Sequence, residues 1–267
     1  MSDKDVLFVD TLWQYYNENA RVLPWRVPEL DGTFDPYKIL VSELMLQQTQ
    51  VGRVVPKYTA FLEKFPSSKI LADAPLSDVL EMWKGLGYSR RAKYLHEAGK
   101  YITLEGFPQT VEALMTLKGV GRNTAAAVLV YSHNEPYPFV ETNVRTVYIH
   151  HFFNDKNGVP DTAIIPIIER TIDRGNPREF MWAVMDYGTH LKSSGVKNNT
   201  KSKHYTQQSR FEGSVRQMRG EILRLAQAGA YINSLEVSTD TRFDSALEAL
   251  ITDGLVVVSN NQLHIAN

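Results

Sequence analysis

The spacing of apolar residues is that of helices along nearly the whole chain. Apolar positions recur every three to four residues, and start signals such as Asp35-Pro36, Pro75 and Pro108 precede several of these segments. Strands are hard to find before residue 230. We therefore expect a mainly α protein. The pattern predicts helices at residues 5–19, 37–50, 51–64, 76–84, 89–104, 110–117, 122–133, 142–153, 162–173 and 178–190.

The pattern changes in the last third of the chain. Residues 192–203 are polar and basic without periodicity, which indicates a loop or linker. From Ser214 three short helices are predicted, followed by a β-hairpin that turns at Asn260-Asn261. The helices would span 214–228, 231–236 and 243–253, and the hairpin 254–265. Such an order resembles a small α+β winged-helix domain.

These patterns predict three consecutive parts. They are a helical domain over residues 1–190, a basic linker over 191–213 and a winged-helix-like domain over 214–267.

Composition excludes several classes of site. The 267 residues are 43% hydrophobic and 22% charged, which is typical of a folded domain. The chain has no cysteine, so disulfides and thiolate metal sites are excluded.

Its first residues lack the features of a signal peptide and no apolar run approaches membrane length, so we expect a cytoplasmic, nucleoid-associated protein. The net charge of −1 excludes no partner, because nucleic acid needs only a local basic surface.

A glycine-containing turn lies shortly before a carboxylate. In Lys-Gly-Val-Gly-Arg-Asn, Gly119 and Gly121 can bring backbone N–H groups to a phosphate, and a helix that begins near Asn123 points its positive end to the same place. Arg122 adds a charge there, and Glu141 follows about one helix later. The turn alone is weak evidence, but an apolar helix before it and an Ala-rich helix after it favour a DNA-backbone clamp.

This arrangement resembles the helix-hairpin-helix DNA glycosylases, the group that contains endonuclease III and the adenine glycosylase MutY. The hairpin would cover about residues 110–133. The segment Ser42-Glu-Leu-Met-Leu-Gln-Gln-Thr-Gln-Val51 is similar to the one that carries the catalytic Glu in the MutY branch. Further matches, in the family's order, are Leu23-Pro-Trp-Arg26, Pro36-Tyr-Lys38, Gly85-Leu-Gly-Tyr88 and Met185-Asp-Tyr-Gly188. The resemblance implies a two-lobed helical fold and a DNA glycosylase of base excision repair.

Two carboxyl groups would carry the chemistry. Cleavage of an N-glycosidic bond needs an acid for the leaving base and an anion beside the sugar cation. By resemblance Glu43 is the acid, and Glu141 stands where the family carries Asp.

The extra methylene of Glu141 departs from the family's pattern. It moves the carboxylate by about 1 Å, which can cost on the order of a hundredfold in rate. Three explanations compete: a compensating backbone shift, a different substrate, or a slow or inactive enzyme. Asn143 matches the family's Asn, which suggests an intact turn, although Thr142 replaces a small residue.

Asn123 bears on strand cleavage. Bifunctional relatives carry a Lys here, whose amine forms a Schiff base and then cuts the strand. An amide cannot do so. The resemblance therefore implies a monofunctional glycosylase without AP lyase activity.

Base flipping needs a residue that fills the vacated stack. By resemblance Gln47, Gln48 and Tyr88 are the wedge and intercalating residues, and Trp25 and Arg26 lie at the pocket edge. The alternatives are a solvated helix end for the glutamines and a core position for each aromatic residue.

The family's iron–sulfur cluster would follow residue 190, held by four cysteines. A Lys/Ser/Asn-rich loop stands there instead, so a cluster cannot form. The segment 192–224 is either a solvated linker or a source of phosphate contacts, Lys201 and Lys203 among them. Hairpins of this family often also bind K+ or Na+ through backbone carbonyls, here those of Leu117 and Val120.

Other residues have simpler interpretations. His150 and His151 on an apolar helix indicate packed or surface histidines, and the remaining histidines are too scattered for a metal site. Tyr131 and Tyr137 are expected to pack near the turn before Glu141.

Three hypotheses of function remain. The first is an adenine glycosylase acting opposite 8-oxoguanine or G, and the second is a mismatch glycosylase for thymine, uracil or another modified base. The third, of another class, is a non-catalytic DNA-binding protein. For all three the expected partner is duplex DNA with a mismatched or damaged base, and we expect a monomer without membrane contact.

Overall fold

The computed structural model describes residues 1–207 and 210–266. Gln208, Ser209 and Asn267, which fall in the predicted linker and C-terminal domain, lie outside the described residues. Within these ranges the chain forms 13 α-helices and one two-stranded antiparallel sheet, which confirms the mainly α fold. No helix in the described ranges is long and apolar enough to cross a membrane.

The helices are α1 Asp3–Asn19, α2 Pro36–Leu46, α3 Val51–Lys64, α4 Ser68–Asp73, α5 Leu76–Trp83, α6 Arg90–Glu105, α7 Val111–Leu114, α8 Arg122–His133, α9 Thr142–Phe152, α10 Asp161–Thr171, α11 Pro177–Ser193, α12 Val215–Gln227 and α13 Phe243–Thr252. The strands are β1 Val256–Ser259 and β2 Gln262–Ile265. Short 3-10 helices lie at Pro24–Arg26, Asn198–Lys201, Ile232–Ser234 and Glu236–Thr239.

Most helix ends differ from the predicted ones by a few residues, but four predictions were wrong in kind or extent. α4 was missed, although the side chain of Ser67 caps its N-terminus. The helix predicted over 37–50 ends at Leu46, because Gln48 has a positive φ of 54°. The first hairpin helix is a single turn, α7. The helix predicted over 231–236 is replaced by two 3-10 turns.

The chain forms two compact units by spatial contacts. The first comprises Met1–Glu43, Pro108–Thr116 and Val120–Gln207, and the second comprises Leu44–Phe107, Leu117–Gly119 and Gln208–Asn267. The three consecutive domains inferred from the sequence remain a prediction.

The first unit is built around the packed pair α9 and α11. Val144, Val147 and Ile149 of α9 are buried, so this helix lies inside the unit. Gly188 of α11 permits the close approach, because a Cβ there would lie only 2.7 Å from the backbone oxygen of Asn143. A larger side chain at this position would push the N-terminal end of α9 away from α11.

In the second unit, helices α3 to α6 pack together, and α12 and α13 pack with the hairpin. β1 and β2 pair in the register Val256 with Ile265 and Ser259 with Gln262. Asn260 and Asn261 both have positive φ, 50° and 62°, as a two-residue type I′ turn requires. The predicted hairpin is confirmed.

A buried arginine joins two turns of the second unit. Arg91 is 7% exposed, and its guanidinium donates to the carbonyl oxygens of Leu44 at 2.5 Å and Gln47 at 2.6 Å. It also donates to the carbonyls of Leu86 at 3.2 Å and Gly87 at 3.0 Å. Burial lowers the pKa of Arg91 to about 10, so the group remains charged at neutral pH. One side chain thus fixes the end of α2 and the turn before Tyr88.

We expect Arg91→Gln to lower the free energy of unfolding by about 3 kcal/mol, because it leaves several buried carbonyl oxygens without a donor. Urea denaturation of the wild type and the variant measures the difference. The control is Lys100→Gln on the same helix, where the lysine is exposed and the effect should stay within about 0.5 kcal/mol. Equal stability of Arg91→Gln and the control would show that water replaces the guanidinium.

Candidate active site

Glu43 lies near the end of α2 in an apolar stretch of helix. Its neighbours Leu40 and Val41 are fully buried, and the Glu43 side chain is itself half-buried. Burial, together with the negative charge of Glu141, raises the pKa of Glu43 to about 8, although Arg26 acts in the opposite direction. The structure therefore brings the two predicted carboxyl groups into one environment in the first unit. At neutral pH Glu43 holds a proton that it can donate.

Glu141 is the residue that precedes the first turn of α9, with φ −101° and ψ 174°. A shorter Asp at such a position often accepts hydrogen bonds from the helix N–H groups. The side chain of Glu141 makes no such bond, so its carboxylate does not cap the N-terminus of α9. Burial raises its pKa, which the positive charge of Arg145 partly offsets. Arg145 is in turn held by Asp161 through two hydrogen bonds of 2.8 and 2.7 Å.

Asn123 fixes the backbone immediately before Glu141. Its side-chain nitrogen donates to the carbonyl of Val140 at 3.0 Å, and its oxygen accepts from the Val140 N–H at 3.2 Å. Asn123 lies at the start of the second hairpin helix, in the segment predicted to clamp the DNA backbone, and was for that reason counted among the DNA-binding residues. In the structure its amide is satisfied by the protein backbone, which makes it a positioning residue for Glu141.

Asn143, in the first turn of α9, binds the N-terminal end of that helix to α11. Its nitrogen donates to the carbonyl of Met185 at 3.1 Å and to the hydroxyl of Thr189 at 3.2 Å, both on α11. Its oxygen is buried and has no hydrogen-bond partner among the described residues. The N-terminus of α9 is therefore anchored to α8 through Asn123 and to α11 through Asn143.

Arg26 supplies a positive charge close to Glu43. It forms two parallel bonds of 2.8 Å each with the carboxylate of Asp186, which also accepts from Arg21. Burial would raise the pKa of Asp186, but the two arginines together hold it below its usual value. The side chain of Arg26 is 7% exposed, and its Nε is buried without a partner in the part of the chain that the structure describes. The neighbouring Trp25 is buried as well, 6% exposed.

Tyr131 is a site residue that the sequence reasoning missed. The expected packing is present, since its ring contacts Phe139 edge-on at 5.9 Å, and it also stacks on Trp182 at 5.9 Å. Its pKa is raised well above the usual value by burial and then by the negative charge of Glu43. The guanidinium of Arg26 lies 5.2 Å from the centre of the Trp182 ring. Trp182, on which Tyr131 stacks, and Asp186, which binds Arg26, stand four residues apart on α11 and so lie on one helix face. This spacing was the sequence signal that could have pointed to this part of the site.

The residues predicted to act on the DNA stack lie in the second unit. Gln48 and Tyr88 both have positive φ, 54° and 49°, which is uncommon for side chains of this size. Tyr88 is 37% exposed, which argues against the alternative of a core aromatic residue. The side chain of Gln47 donates to the carbonyl of Gly119 at 3.1 Å.

The two hairpin glycines differ in backbone conformation and in the space around them. Gly119 has φ 78°, and a Cβ there would meet the ring of Tyr94 at 2.5 Å. Gly121 has an ordinary φ of −85° and precedes the first turn of α8, and no atom lies within 4 Å of the position where its Cβ would be. The N-terminal end of α8 is thus open, with Arg122 exposed beside it. Such an end suits a phosphate.

The segment after α11 is fixed by hydrogen bonds. The N–H of Val159 donates to the carbonyl of Lys201, and the N–H of Lys203 donates to the carbonyl of Val159, both at 2.9 Å. The ammonium of Lys201 donates to the carbonyl of Asn154 at 2.6 Å, whereas the side chain of Lys203 is exposed. Residues 192–203 are therefore not a simple linker, because they include the 3-10 helix Asn198–Lys201.

Neither a cluster nor another metal fits the residues of this segment. The whole sequence lacks the thiolates that an iron–sulfur cluster needs, so no step of the reaction is assigned to one. No group of three or more His, Asp, Glu or Cys residues that could hold a metal occurs among residues 1–207 and 210–266. His150 pairs with Asn198 at 3.2 Å, and His151 packs against Phe8, as expected for structural histidines.

Comparison with known proteins identifies the family. The HhH-GPD superfamily base excision DNA repair protein model matches residues 41–165. The adenine DNA glycosylase of Mycolicibacterium smegmatis is 32% identical to this chain over 92% of its length and 91% of the relative's. The human adenine DNA glycosylase is 33% identical over 68% of this chain and 35% of its own length. The chain belongs to the HhH-GPD superfamily and is a DNA glycosylase of base excision repair.

Solved structures agree on the fold. A thermostable thymine-DNA glycosylase, 27% identical, superimposes with a TM-score of 0.60 over 69% of this chain and 86% of its own. A non-covalent endonuclease III–DNA complex, 17% identical, gives a TM-score of 0.56 over 69% of this chain and 85% of its own. The helix-hairpin-helix glycosylase fold expected from the sequence is confirmed.

Replacement of the Glu43 carboxyl should change the pH dependence of stability. Folding raises its pKa from 4.5 to about 8, so between these values the unfolded chain releases a proton that the folded protein keeps. The wild type therefore loses stability relative to Glu43→Gln as pH rises, by up to about 1.4 kcal/mol per pH unit. The difference should be constant below the lower value and again above the higher one.

Urea denaturation at pH steps across this window measures the effect, with Glu63→Gln, an exposed residue of α3, as the matched control. A difference between wild type and Glu43→Gln that does not vary with pH would mean that Glu43 ionises like an exposed carboxyl group.

Proposed function

We propose that this glycosylase removes adenine opposite 8-oxoguanine or G, and that it is monofunctional. The observation that carries the proposal is the pair Glu43 and Glu141: burial and the second carboxyl group raise the pKa of Glu43 to about 8. A carboxylic acid protonated at neutral pH beside an acidic partner is the arrangement that N-glycosidic cleavage needs. The adenine glycosylases that this chain matches over 92% of its length support the choice of base.

The proposed reaction divides the work between the two groups. Glu43 donates its proton to the leaving adenine as the bond from the base nitrogen to C1′ breaks, and the bonding electrons go to the base. The carboxylate of Glu141 stabilises the positive charge that develops on the sugar. Water then adds to C1′ and gives a proton to the Glu43 carboxylate, which restores the acid, and an abasic sugar remains in an uncut strand.

The longer side chain of Glu141 does not by itself argue against this role. Its carboxylate does not form a capping hydrogen bond with α9, and Asn123 and Asn143 hold the surrounding backbone in place. These observations favour local compensation over loss of activity among the three explanations.

Arg26 is the group in the first unit best placed to orient the base. Asp186 fixes its guanidinium through two bonds, and the remaining Nε–H has no acceptor among the described residues. A buried donor without a partner is costly, so a bound acceptor such as a ring nitrogen of a base would be favourable.

A second candidate is a mismatch glycosylase that removes thymine or uracil opposite G. The observation in its favour is the thermostable thymine-DNA glycosylase, which matches the fold at 27% identity. The chemistry of the two carboxyl groups would be the same, and the two candidates differ in the base that the pocket accepts.

Single-turnover base release separates the candidates. The duplexes carry adenine opposite 8-oxoguanine, adenine opposite G, thymine or uracil opposite G, and hypoxanthine. We expect release of adenine in the first two. Glu43→Gln should lower the rate by at least about a hundredfold and leave DNA binding intact, because the amide keeps the shape but cannot donate the proton. Glu63→Gln serves as the control on rate.

Release of thymine or uracil instead of adenine would establish the second candidate. Equal behaviour of wild type and Glu43→Gln on every duplex, with binding preserved, would support the non-catalytic DNA-binding protein.

Position 123 is an asparagine, whose amide cannot form the Schiff base that precedes strand cleavage. We therefore expect strands to break only after alkali treatment. Borohydride added during the reaction should trap no protein–DNA adduct, whereas a bifunctional glycosylase used as the positive control should be trapped. A borohydride-stable adduct with this protein would overturn the assignment as monofunctional.

A further inference from the structure

Glu141 stands one helical turn from an arginine but forms no ion pair with it. Arg145 follows Glu141 by four residues, and its backbone N–H donates to the Glu141 carbonyl at 2.8 Å. Acidic and basic side chains at this spacing commonly pair on a helix. In the described ranges of the chain Glu141 nevertheless forms no ion pair. Another contact therefore holds the guanidinium of Arg145.

Asp161, the first residue of α10, provides that contact. Its carboxylate accepts from Nε of Arg145 at 2.8 Å and from Nη2 at 2.7 Å, and two such parallel bonds fix the plane of a guanidinium. The side chains of Arg145 and Asp161 are 16% and 20% exposed, so water screens the pair only partly. The hydrogen bonds to Asp161 raise the pKa of Arg145, which therefore keeps its charge.

Both members of this pair act on the carboxyl group of Glu141 through their charges. Burial raises the pKa of Glu141, the positive charge of Arg145 lowers it, and the negative charge of Asp161 raises it further. The other titratable groups in the same environment are Glu43 of α2 and Tyr131 of α8. The net effect of the pair depends on which of its two charges lies closer to Glu141.

The remaining elements packed against α9 contact this helix through neutral groups. At its N-terminal end α11 presents the carbonyl of Met185 and the hydroxyl of Thr189, both of which accept from Asn143. The 3-10 helix Asn198–Lys201 contacts the other end of α9, where the amide of Asn198 pairs with His150 at 3.2 Å. Arg145 and Asp161 are therefore the charged pair beside Glu141 on these elements.

The proposed reaction makes two opposite demands on Glu141. Its carboxyl group must be ionised to stabilise the sugar cation, and a nearby positive charge favours the ionised form. A guanidinium bonded directly to the carboxylate would, however, compensate the negative charge that the sugar needs. The cation must therefore be close to Glu141 and yet bonded to another group.

We propose that Arg145 and Asp161 are positioning residues for Glu141, in which Asp161 holds the guanidinium close to the Glu141 carboxylate but out of contact with it. The inference rests on the proposed function, because it assigns the pair to the anion of that reaction. It also bears on the length of Glu141, since a Glu side chain reaches farther than Asp and would bond Arg145 more readily.

The test is the pH dependence of single-turnover base release by Arg145→Gln and Asp161→Asn. The rate falls on the acid side as Glu141 takes up a proton and on the basic side as Glu43 loses one. Loss of the Arg145 charge should move the acid limb to higher pH by about one unit, whereas loss of the Asp161 charge should move it to lower pH. The basic limb should stay in place, because neither residue acts on Glu43.

The height of the profile gives a second signature. In Asp161→Asn the freed guanidinium can bond directly to Glu141, so the maximal rate should fall by about tenfold. Arg145→Lys keeps the charge but cannot form the two parallel bonds, and it should return the acid limb to the wild-type position.

A second arginine–aspartate pair on α10 is the matched control. Arg170 donates to both carboxylate oxygens of Asp5 and so joins α10 to α1, as Arg145 and Asp161 join it to α9. Arg170→Gln and Asp5→Asn should leave both limbs of the profile in place. If Arg145→Gln and Asp161→Asn move the acid limb in the same direction, or leave it unmoved, the inference is overturned and the pair only supports the fold.

A readout that does not require base release separates this inference from the proposed function. NMR of protein with isotopically labelled glutamate carboxyl carbons follows the titration of Glu141, whose signal is assigned by its loss in Glu141→Gln. Opposite changes in the two variants, together with no release of adenine by the wild type, would support the pair and overturn the proposed substrate. An unchanged titration of Glu141 in both variants would overturn the pair, whatever base is released.

Discussion

The burial of one carboxyl group beside another is the constraint on which the first unit depends. Glu43 and Glu141 repel each other when both are ionised, and partial burial weakens the solvation of each. The protein meets this cost by leaving a proton on Glu43 and by placing Arg26 near Glu43 and Arg145 near Glu141, each of which is itself paired with an aspartate, Asp186 and Asp161 respectively. A more exposed pair would ionise fully and lose the acid. A cation closer to Glu43 would favour its ionised form, and the proton that the acid donates would be lost in that case as well.

Holding this pair in place requires a rigid helix end, and small polar contacts provide it. Asn123 binds both backbone groups of Val140, Asn143 binds α11, and Gly188 allows the two helices to approach. Each contact fixes the backbone on one side of Glu141. Asn123, whose amide binds both backbone groups of Val140, supports the residue that precedes Glu141.

The segment after α11 shows how the fold does without a metal cluster. Two backbone hydrogen bonds join Val159 to Lys201 and Lys203, and the ammonium of Lys201 closes the turn at Asn154. Together with the 3-10 turn at Asn198–Lys201, these bonds order a stretch whose composition alone indicates a solvated linker. Hydrogen bonds of this kind are individually modest, but several in one short segment suffice to fix its path.

The sequence by itself determined most of the helices, the hairpin at Asn260-Asn261 and the absence of thiolate ligands, because these depend on local periodicity, turn chemistry and residue type. The resemblance to a known family, and not a local pattern, singled out Glu43 and Glu141. Only the tertiary structure decided that Arg26 meets Asp186, that Tyr131 shares the environment of Glu43, and that Arg216 contacts the rings of both Tyr88 and Phe211. These partners are separated by many residues, and no local pattern encodes which distant side chains will meet. The contacts at the end of α2 were likewise outside the reach of local patterns, because the carbonyl groups of Leu44 and Gln47 are bound by Arg91, which lies on α6.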